Sequence, residues 1–518
     1  MRAAEPYRYR WYALGVLALS LLLVSLDNTI LNVALPTIRE ELGASSSELQ
    51  WIVDSYLLLF AGLLLAAGSL GDRFGRRRAL FVGLALFGLG SLAAALSTTT
   101  EALIASRALM GVGAAAVMPA TLSIITNIFP EDERPKAIAV WAGAAGMGIA
   151  VGPTTGGWLI ENLDWSWVFL VNLPVVLAAL VAGAVLIPES RDSESPRLDV
   201  PGMVLSITGL TVVVWTLIEA PERGWTSATT LIAFAAGAAV LGAFAAWERR
   251  TTHPMFELDV FRNMRFTAAN VSIACVFFAL MGVLYFLTSY LQSVLGYSPL
   301  EAGVRMLPVA AGMVVASRLS VLLVARFGTK VAVAGGLGVV AFALGGFTAI
   351  SADTEYWWRV GSSLALMGFG MGLAMAPATE AVMGSLPKAK AGIGSAMNDV
   401  VRELGATLGV AVLGSVLSTS YASSMEDGTA ALPSEAAAAA TDGVGGAHEV
   451  AAQIGGGAGA KLAALADQSF IDAMTTASTV AAGAAVLGAL LAMAFLPAYA
   501  RTEPEPGFES DGLEPAAA

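Results

Sequence analysis

Ionisable and amide side chains fall inside long apolar runs of this chain, among them Asp27, Asp54, Arg107, Glu380, Asn398, Asp399, Arg402 and Glu403. A charge at the centre of a membrane helix costs on the order of 2.5–3.5 kcal/mol on insertion scales, so each of these needs a reason to be there. Asp27 lies about 24 Å along the first apolar run, and Arg107 lies about 7–10 Å from the start of the fourth, at 1.5 Å per helical residue. In an apolar layer about 30 Å thick the two reach similar depth from opposite directions. A carboxylate that releases its proton when a cation approaches, and takes it back when the cation withdraws, carries protons. The same two residues also make a plain structural ion pair. Asp54, in Trp51-Ile-Val-Asp54-Ser-Tyr56, lies a turn or two below the outer surface, where it either snorkels to water or meets a proton or a cationic substrate. Trp51 and Tyr56 either offer a cation an aromatic face or belong to an interfacial belt. Asp399, Arg402 and Glu403 share one helix face by their spacing, and two acids against one base leave one negative charge for a proton or a cationic ligand. Glu380 and Asn398 are further substrate-binding candidates, set against ordinary packing.

The elements that must position these residues follow from composition. Hydrophobic residues make up 56% of the 518 and charged residues 13%, against roughly 25% charged in soluble domains. Fourteen runs reach the length of a membrane-spanning helix, from Trp11–Leu35 to Ile471–Leu496. The first is too long for the core of a cleaved signal peptide and contains Asp27. Loop charge supports an even count: twenty lysines and arginines fall on one side of such a chain and four, Arg39, Arg223, Arg359 and Lys461, on the other. The positive-inside rule then places both termini in the cytoplasm.

The chain also repeats itself. Ala108-Leu-Met-Gly-Val-Gly113 and Ala365-Leu-Met-Gly-Phe-Gly370 each precede Pro-Ala-Thr, and Arg73-Phe-Gly75 is echoed by Arg326-Phe-Gly328. Both offsets correspond to eight helices, so a six-helix unit leaves an inserted pair between two copies. The expected organisation is a six-helix bundle over 1–190, two inserted helices over 191–255, a second six-helix bundle over 256–500, and a cytoplasmic tail over 501–518. Within the second bundle, 419–470 reads as an extracytoplasmic loop, rich in Ala, Gly and acids; a flexible linker is expected there, with room for a short helix near Glu435–Thr441. The charges differ between the copies: Arg107 is matched by Leu364 and Asp72 by Ala325.

Several chemistries are set aside. Neither Gly-Lys-Ser nor Gly-Lys-Thr occurs, so no P-loop is present, and Gly111-Val-Gly113-Ala-Ala-Ala116 lies inside an apolar helix with no strand before it. The single cysteine, Cys275, gives neither a disulfide nor a thiolate metal site. His253 and His448 fall on opposite sides of the expected topology, so no metal site is expected. The net charge of −12 gives no sign of nucleic-acid binding.

Two glycine motifs complete the set. Gly68 and Gly75 flank Asp72 and Arg73, with Arg76 next in line; topology alone needs the arginines but neither the glycines nor the aspartate, which can pair with arginine or with a helix N-terminus. Gly148, Gly152 and Gly156 recur every four residues as a bare stripe, and Pro153 removes a backbone hydrogen bond, so the fifth helix should pack closely and bend.

The run Gly68-Ser-Leu-Gly-Asp72-Arg73-Phe-Gly75-Arg76-Arg77-Arg78 resembles the loop between the second and third helices of the major facilitator superfamily. Gly148-Ile-Ala-Val-Gly152-Pro153-Thr-Thr-Gly156-Gly157 resembles the antiporter motif of its fifth helix. Leu26-Asp27-Asn-Thr-Ile-Leu-Asn-Val-Ala-Leu-Pro36 resembles the first-helix motif of the fourteen-helix drug:proton antiporters of EmrB/QacA type. Trp165-Ser166-Trp167 departs from that pattern, which carries Arg between the tryptophans. The resemblance implies an all-α membrane protein of the major facilitator fold, in the cell membrane. It also implies a conformational latch at Gly68, Asp72, Arg73, Gly75 and Arg76, and a pathway seal at Gly148, Gly152, Pro153, Gly156 and Gly157. The function implied is proton-coupled export of small amphipathic or cationic drugs by alternating access, with the proton as coupling ion, no other cofactor, and Asp27, Arg107, Asp54 and Asp399 as candidates for coupling. The expected surroundings are a small-molecule substrate and the lipid bilayer, with a monomer as the working unit. Uniport or symport of a metabolite on the same fold, or a non-transporting sensor or scaffold, are the alternatives. The antiporter motif favours export over uptake, and the retained buried acids argue against an inert scaffold.

Overall fold

The structure, a computed structural model, describes residues 7–497 apart from 45, 192–198, 253, 351–354, 388, 389 and 431. Arg2, Arg197, His253, Lys388 and the tail from 501 to 518 lie outside the described residues. Every regular element among the described residues is a helix. In order these are α1 (Arg10–Leu42), α2 (Ser46–Phe74), α3 (Arg76–Ala95), α4 (Thr100–Ile128), α5 (Arg134–Asn162), α6 (Trp167–Leu170), α7 (Asn172–Leu186), α8 (Val200–Arg223) and α9 (Ala228–Glu248). They continue as α10 (Met264–Ser289), α11 (Pro299–Phe347), α12 (Ser362–Met383), α13 (Ala391–Thr429), α14 (Ser434–Asp442), α15 (Val444–Ile454) and α16 (Gly456–Phe495).

Among the described residues thirteen stretches are long and apolar enough to cross a membrane, with α6 and α7 sharing one. The 49-residue α11 supplies two crossings: as a straight rod it would be about 73 Å long, more than twice the apolar thickness. It breaks at Gly328, whose φ of 83° is left-handed. The corresponding residue of the first half, Gly75, has φ 117° and separates α2 from α3. The repeated Arg-Phe-Gly is therefore a repeated backbone reversal.

The other repeat behaves the same way. A Cβ on Gly111 of α4 would lie 2.5 Å from the Tyr56 carbonyl of α2, and one on Gly113 would lie 2.5 Å from the backbone of α3 at Phe87. In α12, Gly368 meets the Val309 backbone in the first leg of α11, and Gly370 would meet the Gly336 carbonyl in its second leg at 2.5 Å. Each half thus uses the same pair of glycines to seat one helix against two others.

Within the first half α1 packs on α5 and α4 on α2 and α3; within the second α11 packs on α12 and α10 on α13. The halves meet through α5 on α11 and α2 on α13. The hairpin α8–α9 lies over the α2–α13 seam: Leu58 and Ala61 of α2 cluster with Val214 of α8, with Leu404 of α13 against them. Trp225, beyond α8, donates to Ser415 Oγ of α13 at 2.9 Å.

The expectation of a flexible linker over 419–470 is corrected, while the short helix allowed near Glu435–Thr441 is present as α14. α13 runs on to Thr429, α16 starts at Gly456, and α14 and α15 pack between them, burying Tyr421, Met425, Ala440, Val444, Ala447, Val450, Leu462 and Phe470. Tyr421 donates to the Ala440 carbonyl at 3.1 Å, and His448 lies 2.8 Å from Asp467. Alanine, which reads as linker composition, is the strongest helix former, and its small side chain lets these short helices approach. The breaks fall at Gly443 and Gly455. At the start of α11, Glu301 closes a capping box with Ser298, and Arg305 reaches the Glu301 backbone carbonyl at 3.2 Å while lying over the Tyr297 ring.

Candidate functional site

One end of the bundle carries most of the arginines. Arg10 there bonds Glu133 at 2.6 Å, holding that carboxyl below its usual 4.5. At the same end, Asp72 on the last turn of α2 takes Arg76 at 2.6 Å and also accepts the Gly392 and Ile393 amides of α13 at 3.0 and 3.2 Å. A carboxylate on free N–H groups at a helix start is favoured by both hydrogen bonding and the helix dipole. Asp72 therefore does both things its chemistry allows, and the second ties the two halves together. The approach is made possible by Gly68, whose Cβ would lie 2.6 Å from the Gly392 carbonyl. Gly75 leaves room for Glu189, which accepts the Arg77 amide at 3.1 Å and lies within 3.9 Å of the Arg77 and 3.6 Å of the Arg78 guanidinium. Arg73 lies over the Phe74 ring.

Deeper in, Asp27 and Arg107 are 0% and 1% exposed and joined at 2.6 Å. Gly111, one turn after Arg107, lets α2 approach, and this sets the Tyr56 ring 4.3 Å from the guanidinium. Arg107 Nε donates to the Ile52 carbonyl at 3.2 Å. Tyr56 is wholly buried and stacks on Phe60, so it is not interfacial; its cation is Arg107. Trp51 is 41% exposed, as a belt residue would be.

The other oxygen of Asp27 accepts from Asn172 Nδ2 at 2.9 Å. Asn172 also reaches Ser91 Oγ at 3.0 Å, and Ser91 donates to the Phe169 carbonyl at 2.8 Å. Pro174 explains the local backbone: it has no N–H to offer four residues back, so the helix breaks between Leu170 and Asn172 and the amide starts α7. The sequence reading passed over Asn172, although it is an amide inside an otherwise apolar run.

In the second half Arg402 lies 3.4 Å from Asp399, both buried, and its guanidinium sits over Phe277 at 4.7 Å and over Trp141 of the first half at 5.5 Å. The shared face of Asp399, Arg402 and Glu403 exists, with Glu403 half-buried beside the pair. Asp399 Oδ2 and Asn398 Nδ2 are buried without a protein partner, while Asn398 Oδ1 accepts from Thr379 at 3.3 Å. Glu380 belongs elsewhere. It is half-buried, its charged neighbours are Arg134, Arg265 and Glu131, and its Oε2 and two nitrogens on each arginine lack partners. Asp54 is half-buried on α2, two residues before Tyr56.

The glycine stripe of α5 seats α1 around Asp27. A Cβ on Gly148 would lie 2.7 Å from Ser25 and one on Gly156 2.9 Å from Ile30, while Gly152 faces Thr29 and the Leu26 carbonyl. Gly157 faces the other half, its Cβ position 2.9 Å from Leu300 Cα, and Gly303 approaches the Pro153–Thr154 backbone in return.

Residues 17–410 match the family described as Major Facilitator Superfamily. The chain is 34% identical to the tetracenomycin C resistance and export protein of Streptomyces glaucescens, over 93% of this chain and 91% of that protein. It is 38% identical to the multidrug efflux pump LfrA of Mycolicibacterium smegmatis, over 92% of this chain and 95% of that one. Among solved structures, the human organic anion transporter MFSD10 superposes with a TM-score of 0.62 at 16% identity, over 93% of this chain and 99% of that one, a likeness of fold. With two copies of one helical unit, a buried charge pair and the quoted motifs in the first, and a family match over residues 17–410, this multi-pass membrane protein belongs to the major facilitator superfamily.

Proposed function

We propose that the protein is a proton-coupled antiporter that exports small amphipathic or cationic molecules across the cell membrane. The basic end is cytoplasmic, the bundles over 1–190 and 256–500 rock against each other as single-chain units, and the pair over 191–255 rides on their seam. The observation that carries this reading is the buried set Asp27–Arg107–Asn172. Both carboxylate oxygens accept from donors, which favours the charged form while Arg107 and Asn172 stay in place. A movement of α4 that withdraws Arg107 leaves an unpaired carboxylate in apolar surroundings, which takes a proton; the return of Arg107 expels it. Proton exchange is thereby tied to a helix displacement, as antiport requires.

The second half supplies the other ligand. Asp399 Oδ2 and Asn398 Nδ2 have no protein partner, and Asp399 and Glu403 are two acids against the single Arg402, whose guanidinium already lies over Phe277 and over Trp141 of the first half, so one negative charge is left for a cationic ligand. The names of the two relatives, a resistance and export protein and a multidrug efflux pump, support export over uptake.

A susceptibility screen tests the assignment. Cells expressing the protein should tolerate more of a subset of cationic dyes, biocides and antibiotics than vector controls, and Asp27→Asn at equal expression should return them to the control. A wild-type profile indistinguishable from vector removes the proposal.

A further inference from the structure

The base of the inserted hairpin holds a second buried acid site, unconnected to Asp27. Asp199 caps α8: its Oδ1 accepts from the Gly202 amide at 2.9 Å and from Trp247 Nε1 at 2.8 Å. Glu248, at the end of α9, accepts the Phe256 amide through Oε2 at 3.1 Å. Each carboxyl has its other oxygen left over, Asp199 Oδ2 and Glu248 Oε1, both buried and without a partner. The two residues are 9% and 4% exposed. Their orphaned oxygens converge on one point: they are the atoms that a Cβ on Gly202 would strike.

Two acceptor oxygens facing each other away from water, with no donor between them, are unfavourable twice over, through like-charge repulsion and through unmade hydrogen bonds. We infer that Asp199 and Glu248 form a proton-binding site, sharing one proton as a carboxyl–carboxylate hydrogen bond. One proton turns one orphaned acceptor into a donor, satisfies both atoms and removes one of the two charges; the pair then titrates as a unit.

Among the described residues no cation takes that part; the Met255 amide also bears on Glu248, and Arg197, two residues before Asp199, lies outside the described residues. Arg249 and Arg250, the next residues along the chain, are exposed and form no ion pair with either carboxylate among the described residues. Glu257 is engaged by Lys390, and Asp199 is the charged group acting on Glu248. His253 lies outside the described residues.

The site joins the start of α8, the end of α9 and the strand of chain leading into the second half. Met255 and Phe256 of that strand are buried, and Phe256 packs on Phe261 and Phe266 with ring centroids 5.6 and 6.4 Å away. The proton thus fastens the inserted pair where it is stitched between the two halves. A proton held by the folded form alone adds stability at low pH and withdraws it as pH rises through its release.

The test is thermal melting of the full-length protein in nanodiscs between about pH 5 and pH 9, in a His253→Gln background that removes the imidazole that follows Glu248 in the sequence. The parent should lose melting temperature as pH rises. Glu248→Gln should flatten that dependence, because its amide donates to Asp199 Oδ2 without a proton, and Asp199→Asn should do the same from the other side. Infrared difference spectra should show a protonated-carboxyl carbonyl band at neutral pH that Glu248→Gln removes. If both variants follow the parent's slope, or if the band is absent or survives the substitution, the shared proton is refuted. None of these readouts depends on transport, so failure here leaves the antiport proposal standing, and failure of antiport leaves this site standing.

Discussion

At the scale of single residues, the first half is organised around a buried ion pair whose value depends on being complete. Removing one partner of such a pair leaves an uncompensated charge, at about 3–5 kcal/mol. Arg107→Ala should therefore lower the melting temperature sharply and abolish export. Arg107→Lys should restore part of the stability, since a lysine keeps the charge but loses the forked reach to Asp27 and the Ile52 carbonyl and the planar contact with Tyr56. Asn172→Leu removes the donor to Asp27 Oδ1 and should cost about 1–3 kcal/mol, with export reduced even at temperatures where the protein is folded. Wild-type melting and export in that variant would show that Asn172 is a bystander. Asp27 and Arg107 were legible in the sequence because full charges stand out in apolar runs. Asn172 stood out less because an amide costs less to bury, and Tyr56 stayed open between an interfacial belt and a ring facing a cation because an aromatic near a helix end fits both; its cation is Arg107.

At the scale of elements, glycine decides which helices touch. Gly148, Gly152 and Gly156 were recognisable as a stripe from their spacing, yet spacing could not say that the stripe faces α1 around Asp27 while Gly157 faces α11. Gly152→Val should push α1 away and cost about 1–3 kcal/mol through overpacking, read as a lower melting temperature and lost export. Gly483→Ala on α16 is the contrast: nothing lies within 4 Å of its Cβ position, so that variant should melt at or above wild type. Equal melting of the two glycine variants would contradict the packing described. The segment 419–470 was the least legible element, because the alanines that suggest a linker by composition suggest a helix by propensity, and the choice is made by contacts from α13 and α16 that local sequence does not contain.

At the scale of the whole molecule, the duplicated unit was visible in two short repeats, and the structure gives them one meaning each: a reversal at Gly75 and Gly328, and a three-helix contact at Gly111 and Gly368. The position of the inserted hairpin over the α2–α13 seam was not visible, since nothing local in α8 or α9 names its neighbours. The asymmetry of charge is functional in this account: the first half carries the proton pair and the latch aspartate, and the second carries the unfilled acid and amide at Asp399 and Asn398. Asp72→Ala removes the cap on α13, so spin labels at the basic ends of α2 and α13 should report a larger share of separated halves than in wild type; an unchanged distance distribution would deny Asp72 its latch role. The central claim, that export is driven by protons through Asp27, is tested most directly in proteoliposomes. An imposed pH gradient should drive accumulation of a cationic dye, collapse of the gradient should stop it, and Asp27→Asn should abolish it. Accumulation that ignores the gradient and survives Asp27→Asn would contradict the account.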